Sequence, residues 1–202
     1  RRQRQMCIRD SPYILSATLA TDIDASLPLR PAISLENLTG GSIDAVINYT
    51  FTVPGDKKPV ATGSFKSASP VIDLSNVPSG VYSVTFATAD SSLADPVTIE
   101  GTAIYRPGDA VPPVTDTPLW VPVKSYTIKD GRELSVLYGI PAEEGWVHYA
   151  VYSVDRLLAQ GWLHEHRGIH RFKWTLPENI DQVTVTLSSV NGYRFKSADV
   201  SA

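Results

Sequence analysis

The sequence predicts an all-β chain built of two tandem antiparallel β-sandwich domains. Three observations carry that reading. Apolar side chains recur at every second position through most of the chain, which is the pattern of a half-buried strand whose side chains alternate between faces. Clusters of Gly, Pro, Asp, Asn and Ser interrupt the alternation at short intervals, as in a sandwich with many brief strands. One proline-rich stretch divides the alternating pattern into two halves.

The elements follow in chain order. Residues 1–11, Arg1-Arg2-Gln3-Arg4-Gln5-Met6-Cys7-Ile8-Arg9-Asp10-Ser11, resemble a translated sequencing adapter bearing a transposase mosaic end. They are set aside from fold reasoning, as a vector-derived tail would be. Residues 12–105 form the first predicted sandwich. Tyr13, Leu15, Ala17 and Leu19 alternate, and so do Ile47, Tyr49, Phe51 and Val53, then Tyr82, Val84 and Phe86, then Val97, Ile99, Ala103 and Tyr105. Turn clusters at Thr39-Gly40-Gly41-Ser42, Pro54-Gly55-Asp56, Pro78-Ser79-Gly80 and Asp90-Ser91-Ser92 separate about seven strands.

Pro107, Pro112, Pro113, Pro118 and Pro122 then fall close together. Proline lacks an amide donor and restricts the residue before it, so residues 106–119 read as a stiff linker. Residues 120–202 form the second predicted sandwich. Tyr126 and Ile128 precede a turn at Asp130-Gly131. Leu134, Val136 and Tyr138 make a strand ended by Gly139 and Pro141. Val147, Tyr149 and Val151, then Leu157 to Leu163, then Phe172, Trp174 and Leu176, then Val183, Val185 and Leu187 supply the rest. Asp155 to Gln160 has helical composition but is too short for an independent helix. The chain stops soon after Asn191-Gly192, so the second sandwich is expected to lack its last strand.

Composition limits function. Hydrophobic residues make up 43% of the chain and charged residues 19%, enough for packed cores and against disorder. The formal net charge is −3, and setting aside Arg1, Arg2, Arg4, Arg9 and Asp10 makes it more negative. No basic stripe interleaves with aromatics, so nucleic acid is not the expected partner. No apolar run is long enough to span a bilayer as a helix. Cys7 is the only cysteine and Met6 the only methionine. The remainder therefore has no disulfide framework and no thiol nucleophile.

Several residues invite chemical readings. His164, His166 and His170 cluster in His164-Glu165-His166-Arg167-Gly168-Ile169-His170. As a metal site, His164 and His166 would share a strand face and His170 would return across a hairpin at Arg167-Gly168. As a polar hairpin tip they would do nothing chemical. The spacing matches no helical zinc motif, so no metal is assigned. Glu143 and Glu144 are adjacent on a loop, where general acid–base pairs are not built. Asp22 and Asp24 lack the glycine and terminal glutamate of a calcium loop. Asn37-Leu38-Thr39 and Asn48-Tyr49-Thr50 match the glycosylation tripeptide, a pattern common by chance. Trp120, Trp146, Trp162 and Trp174 all lie in the second half. Trp174 follows a core pattern, whereas exposed tryptophans such as Trp146 could stack on sugar rings. No catalytic residue and no cofactor is assigned.

One resemblance emerges from Ile104 onward. Ile104-Tyr105-Arg106 closes the first sandwich. The proline joint follows, then Asp116-Thr117-Pro118-Leu119-Trp120, Asp130-Gly131-Arg132-Glu133-Leu134, Trp146-Val147-His148-Tyr149-Ala150-Val151, Gln160-Gly161-Trp162-Leu163 and Leu176-Pro177-Glu178. Leu74-Ser75-Asn76-Val77-Pro78-Ser79-Gly80-Val81-Tyr82 in the first half is compatible. This resembles the macroglobulin-type, immunoglobulin-like domains of bacterial alpha-2-macroglobulin-like proteins of Bacteroidetes type. The resemblance implies scaffold domains of an endopeptidase inhibitor in the cell envelope. Their partners would be neighbouring domains of the same chain. Target proteases would be met by regions outside this segment, and the membrane only through an anchor not present here. Two other readings stand beside it: a glycan-binding or adhesive surface module, and accessory domains of an outer-membrane transport system.

Overall fold

The computed structural model describes residues 11–128 and 132–202. Most of the adapter-like segment and the expected turn at Asp130-Gly131 lie outside the described residues. The described chain is all-β: eleven strands and no helix. It divides into two compact units, one of residues 11–20, Leu27–Val77 and Tyr82–Thr102, the other of Thr21–Ser26, Pro78–Val81 and Ala103–Ala202. The fold is that of antiparallel β-sandwich domains in tandem.

Seven strands fall between Tyr13 and Tyr105: β1 (Tyr13–Thr18), β2 (Asp22–Asp24), β3 (Ala32–Asn37), β4 (Val46–Thr52), β5 (Pro59–Lys66), β6 (Gly80–Thr88) and β7 (Val97–Tyr105). In the first unit β1 pairs with β3, and a second sheet runs β7-β6-β4-β5. Leu15 and Leu35 oppose each other in register and are both buried. From the other sheet Ile47, Phe51, Val84 and Phe86 are fully buried. Phe51 meets Tyr82 edge-on at 6.1 Å, and Phe65 meets Phe86 at 6.2 Å, the favoured geometry for aromatic packing. The alternation of β7 breaks at Gly101, whose φ is +73°. After it Ala103, Ile104 and Tyr105, which belong to the second unit, are all buried. There β2 pairs with them in parallel, a strand too short to be legible as alternation.

The second unit contains β8 (Glu133–Ser153), β9 (Arg156–Thr175), β10 (Thr184–Asn191) and β11 (Arg194–Ser201), hydrogen-bonded in the order β11-β10-β8-β9. Two expectations need correction here. The strand at Leu134 does not end at Gly139 and Pro141 but continues, with an irregularity, to Ser153. No hairpin forms at Arg167-Gly168, because β9 runs through it. A strand that the alternation did not reveal, β11, follows Asn191-Gly192.

The irregularity explains how one hairpin can make two layers. Ile140 pairs with Gly168 and Glu144 with His166, so Pro141–Glu143 face Arg167 alone. Such a bulge bends the strand and accepts a proline, which has no amide to give. It also exchanges faces. Before it Leu134, Val136, Tyr138 and Ile140 point into the core; after it Val147, Tyr149 and Val151 do. Both halves therefore bury apolar side chains in one core, which Val185, Leu187, Ala198 and Val200 complete. Leu119 and Val121 join it. Between them Trp120 turns the other way and packs edge-on against Tyr105 at 4.9 Å. The segment 120–126 pairs first with Gly139 and then with Ser201, bridging the two layers.

Candidate functional site

The core assignment fixes what the other face displays. With Val147, Tyr149 and Val151 inward, Trp146 and His148 point outward from β8. Across the ladder Trp146 opposes His164 and His148 opposes Trp162. On β10, Ser188 opposes both His148 and Ser197, and Val190 opposes Phe195. Ser197, Ser188, His148 and Trp162 thus form one row across the sheet; carrying the Ser189–Val147 register one residue further sets Val190 beside Trp146, which gives a second row of Phe195, Val190, Trp146 and His164.

This face is unusually aromatic for one left to solvent. Trp146 is 55% exposed, Trp162 64% and Phe195 66%. Each indole contacts an imidazole: Trp146 stacks on His164 at 4.5 Å with 21° between planes, and Trp162 meets His148 at 4.9 Å and 60°. Trp146, Trp162, Val190 and Phe195 enclose a shallow groove of about 270 Å³, with Ser188 and His148 between them. Ser188 and Ser197 hydroxyls bond to each other at 3.0 Å, and Ser189 donates to the Trp146 carbonyl at 2.9 Å. Among the described residues no protein acceptor meets the indole N–H of Trp146 or Trp162. The groove therefore offers ring faces for stacking and free donors for hydrogen bonds. No lysine, arginine, aspartate or glutamate lines it.

The histidine cluster is divided by the continuous β9. His164 and His166 do share the outer face. Glu144 carries its two oxygens 3.7 Å from His164 Nε2 and 3.9 Å from His166 Nδ1. His170 does not return to them. It lies beyond the bulge, where its Nδ1 is 3.3 Å from Glu165 and its Nε2 is 2.8 Å from the His166 carbonyl oxygen. Glu165 also accepts the Tyr138 hydroxyl at 2.7 Å. Burial, with the bond to Glu165 next, pushes the Tyr138 phenol far above its ordinary range. Among the described residues no group of three or more His, Cys, Asp or Glu side chains is placed to hold a metal ion.

The other singled-out residues have structural partners. Asp22 accepts the Trp120 indole N–H at 2.8 Å. Burial raises its carboxyl, and that hydrogen bond partly offsets the rise. Asp24 accepts from the Ser26 amide and hydroxyl. Glu143 is exposed on the bulge. Asn37 closes a turn, its side-chain oxygen accepting from Thr39 and Gly41, and Asn48 lies mid-strand in β4. Trp174 is partly buried against the core. Sequence reading singled out Trp146 and Trp162. It missed His148, Ser188, Val190 and Phe195, whose convergence depends on strand order, and alternation carries no signal for strand order.

No family model matches this chain, and no curated protein sequence does. Among solved structures, the human OSCAR ligand-binding domain is similar at 11% identity and a TM-score of 0.25, covering 92% of this chain and 93% of that one. The chicken CNTN1 FN1–FN3 domains are similar at 10% identity and a TM-score of 0.27, covering 95% of this chain and 66% of theirs.

Proposed function

We propose that this chain is a non-catalytic binding segment whose second sandwich holds carbohydrate in the groove between Trp146, Trp162 and Phe195. The observation that supports the reading is the outward exposure of two indoles on one strand-built face, each with an unpartnered N–H. A pyranose presents a flat array of C–H bonds edged by hydroxyls. Stacked on an indole it gains dispersion and hydrophobic contact, while Ser188, His148 and the indole N–H groups meet its rim. A ligand of this kind needs no charged anchor and no deep cavity. The site is built on strands, so its geometry is held by the core beneath it.

The test is a glycan array probed with the whole chain and with Trp146→Ala and Trp162→Ala. Binding to a defined set of glycans, lost in both variants at unchanged thermal stability, is the expected result. An empty array would remove the proposal.

A second reading has its own support. Serial sandwiches joined by a proline-rich segment suit a scaffold stretch of an envelope-associated, alpha-2-macroglobulin-like endopeptidase inhibitor. In that case neighbouring domains are the partners, and proteases are met elsewhere in the longer chain. This reading leaves Trp146 and Trp162 without a task, which is why it stands second. Reading the coding sequence downstream tests it: a thioester-bearing region in frame supports it, and a catalytic or outer-membrane barrel domain there sinks it.

A further inference from the structure

Resting on the carbohydrate reading, the geometry points to a more specific ligand: we infer that the groove takes an internal stretch of a neutral, extended, β-linked glycan laid across the strands.

The spacing of the rings is the first argument. Phe195 is on β11, Trp146 on β8 and Trp162 on β9, with β10 between the first two. Phe195 and Trp146 lie in one cross-strand row, separated by Val190. Two strand spacings place them about 10 Å apart. Trp162 follows on the diagonal, roughly 7–8 Å further. In an extended β-linked chain each sugar is turned over relative to the last, so the same face recurs at every second unit. The Phe195-to-Trp146 separation of two strand spacings matches that repeat, and Trp162 on the adjacent strand β9 adds a third ring on the diagonal. A helically coiled α-linked chain does not present it.

Charge is the second argument. The groove lining has no lysine, arginine, aspartate or glutamate, and the whole chain has a formal net charge of −3. An acidic glycan would find no lysine or arginine in the lining to offset its desolvation. Neutral hydroxyls, by contrast, suit Ser188, His148 and the indole N–H donors.

The ends of the groove are the third argument. Its terminal rings, Phe195 and Trp162, are 66% and 64% exposed. A site that recognises a chain end encloses it, because the end is distinguished only by groups that must be surrounded. Here both ends open to solvent, so a chain can enter and leave along the row.

Calorimetric titration of the whole chain tests the inference. The probes are cello-, xylo-, manno- and chito-oligosaccharides from one to six units, their end-reduced forms, and maltohexaose as the α-linked control. Affinity for at least one β-linked series should rise about tenfold or more from dimer to tetramer and then level off, as successive rings are engaged. End reduction should leave it unchanged. Phe195→Ala should cost the longer oligomers more than the dimer, which isolates the outermost ring from any folding defect. A monosaccharide bound as tightly as a hexamer, or maltohexaose bound equally well, would overturn the chain-type inference and leave carbohydrate binding standing. Absence of binding to any sugar, here and on the array, would overturn both.

Discussion

Replacing Gly161 by alanine separates two opposing effects of known size. Gly161 lies on edge strand β9 directly opposite Tyr149 of β8. A Cβ at Gly161 would come within 2.7 Å of the Tyr149 hydroxyl and 2.9 Å of its ring. The tyrosine covers the glycine, as an aromatic ring does when it rescues a bare position on a sheet edge. Backbone entropy alone favours alanine by about 0.5–1 kcal/mol. The collision opposes it, because Tyr149 cannot simply retreat: its ring already packs on Phe172, with centroids 4.8 Å apart. Overpacking of this kind costs about 1–3 kcal/mol. The collision wins, and Gly161→Ala should destabilise by about 1–2 kcal/mol. That corresponds to a fall in Tm of roughly 2–8 °C for a chain of this size. In a Tyr149→Ala background the space is open, and the same substitution should instead stabilise by about 0.5–1 kcal/mol. Urea and thermal unfolding of the four proteins close a double-mutant cycle with a coupling of about 2 kcal/mol. Gly161→Ala that is neutral in the parent, or equal in both backgrounds, would refute the reasoning. The first unit repeats the arrangement, with Tyr49 of β4 lying over Gly63 of edge strand β5, so a parallel cycle at that pair should agree in sign.

Two further predictions concern stability. Val154, at the tip between β8 and β9, has φ +53° and is 91% exposed; a β-branched residue there is strained, so Val154→Gly should raise stability by about 1 kcal/mol, read as a higher urea midpoint at unchanged slope. Burial, then the charge of Asp24, pushes the Tyr105 phenol up to about 12. A folded value above the unfolded one means the proton is held more tightly when folded, so this contribution is complete below the ordinary tyrosine range near pH 10 and is lost as pH rises towards 12. Tm measured between pH 9 and 12 should fall less steeply in Tyr105→Phe than in the parent; parallel curves would show that this phenol contributes nothing.

Legibility in the sequence followed locality. Alternation placed strands at Tyr13, Ile47, Tyr82 and Val97 because each keeps one inward face for most of its length. It failed where the inward face changes. At Pro141 and at Arg167-Gly168 the apolar parity switches, and both sites also carry residues typical of turns. A continuous strand was therefore read as two strands with a loop between. The missed strand β11 has a different cause. Arg194, Phe195, Lys196 and Ser197 are all exposed, and only Ala198 and Val200 are buried, too few apolar positions to reveal a period. Pairing order was not legible at all, because alternation assigns faces and leaves neighbours open.

The irregularity that hid β8 and β9 from sequence reading is also what creates the aromatic face. Had the ladder kept its first parity, the inward set Leu134, Val136, Tyr138 and Ile140 would have continued through Trp146 and His148. On β9 the inward set His170, Phe172 and Trp174 would have continued through Trp162 and His164. Both indoles would then belong to the core. The bulge opposing Pro141–Glu143 to Arg167 reverses the parity on both strands together, and Val147 and Val151 take the inward places, where they are fully buried. Undoing the reversal would return those two valines to water at about 1.5–3 kcal/mol each. It would also bury indole N–H and imidazole groups without partners, at about 1–3 kcal/mol per group. The core thus holds the register firmly, and the outward orientation of Trp146 and Trp162 follows from the packing behind them. A face fixed in this way keeps its shape without a covering loop, as the carbohydrate proposal requires.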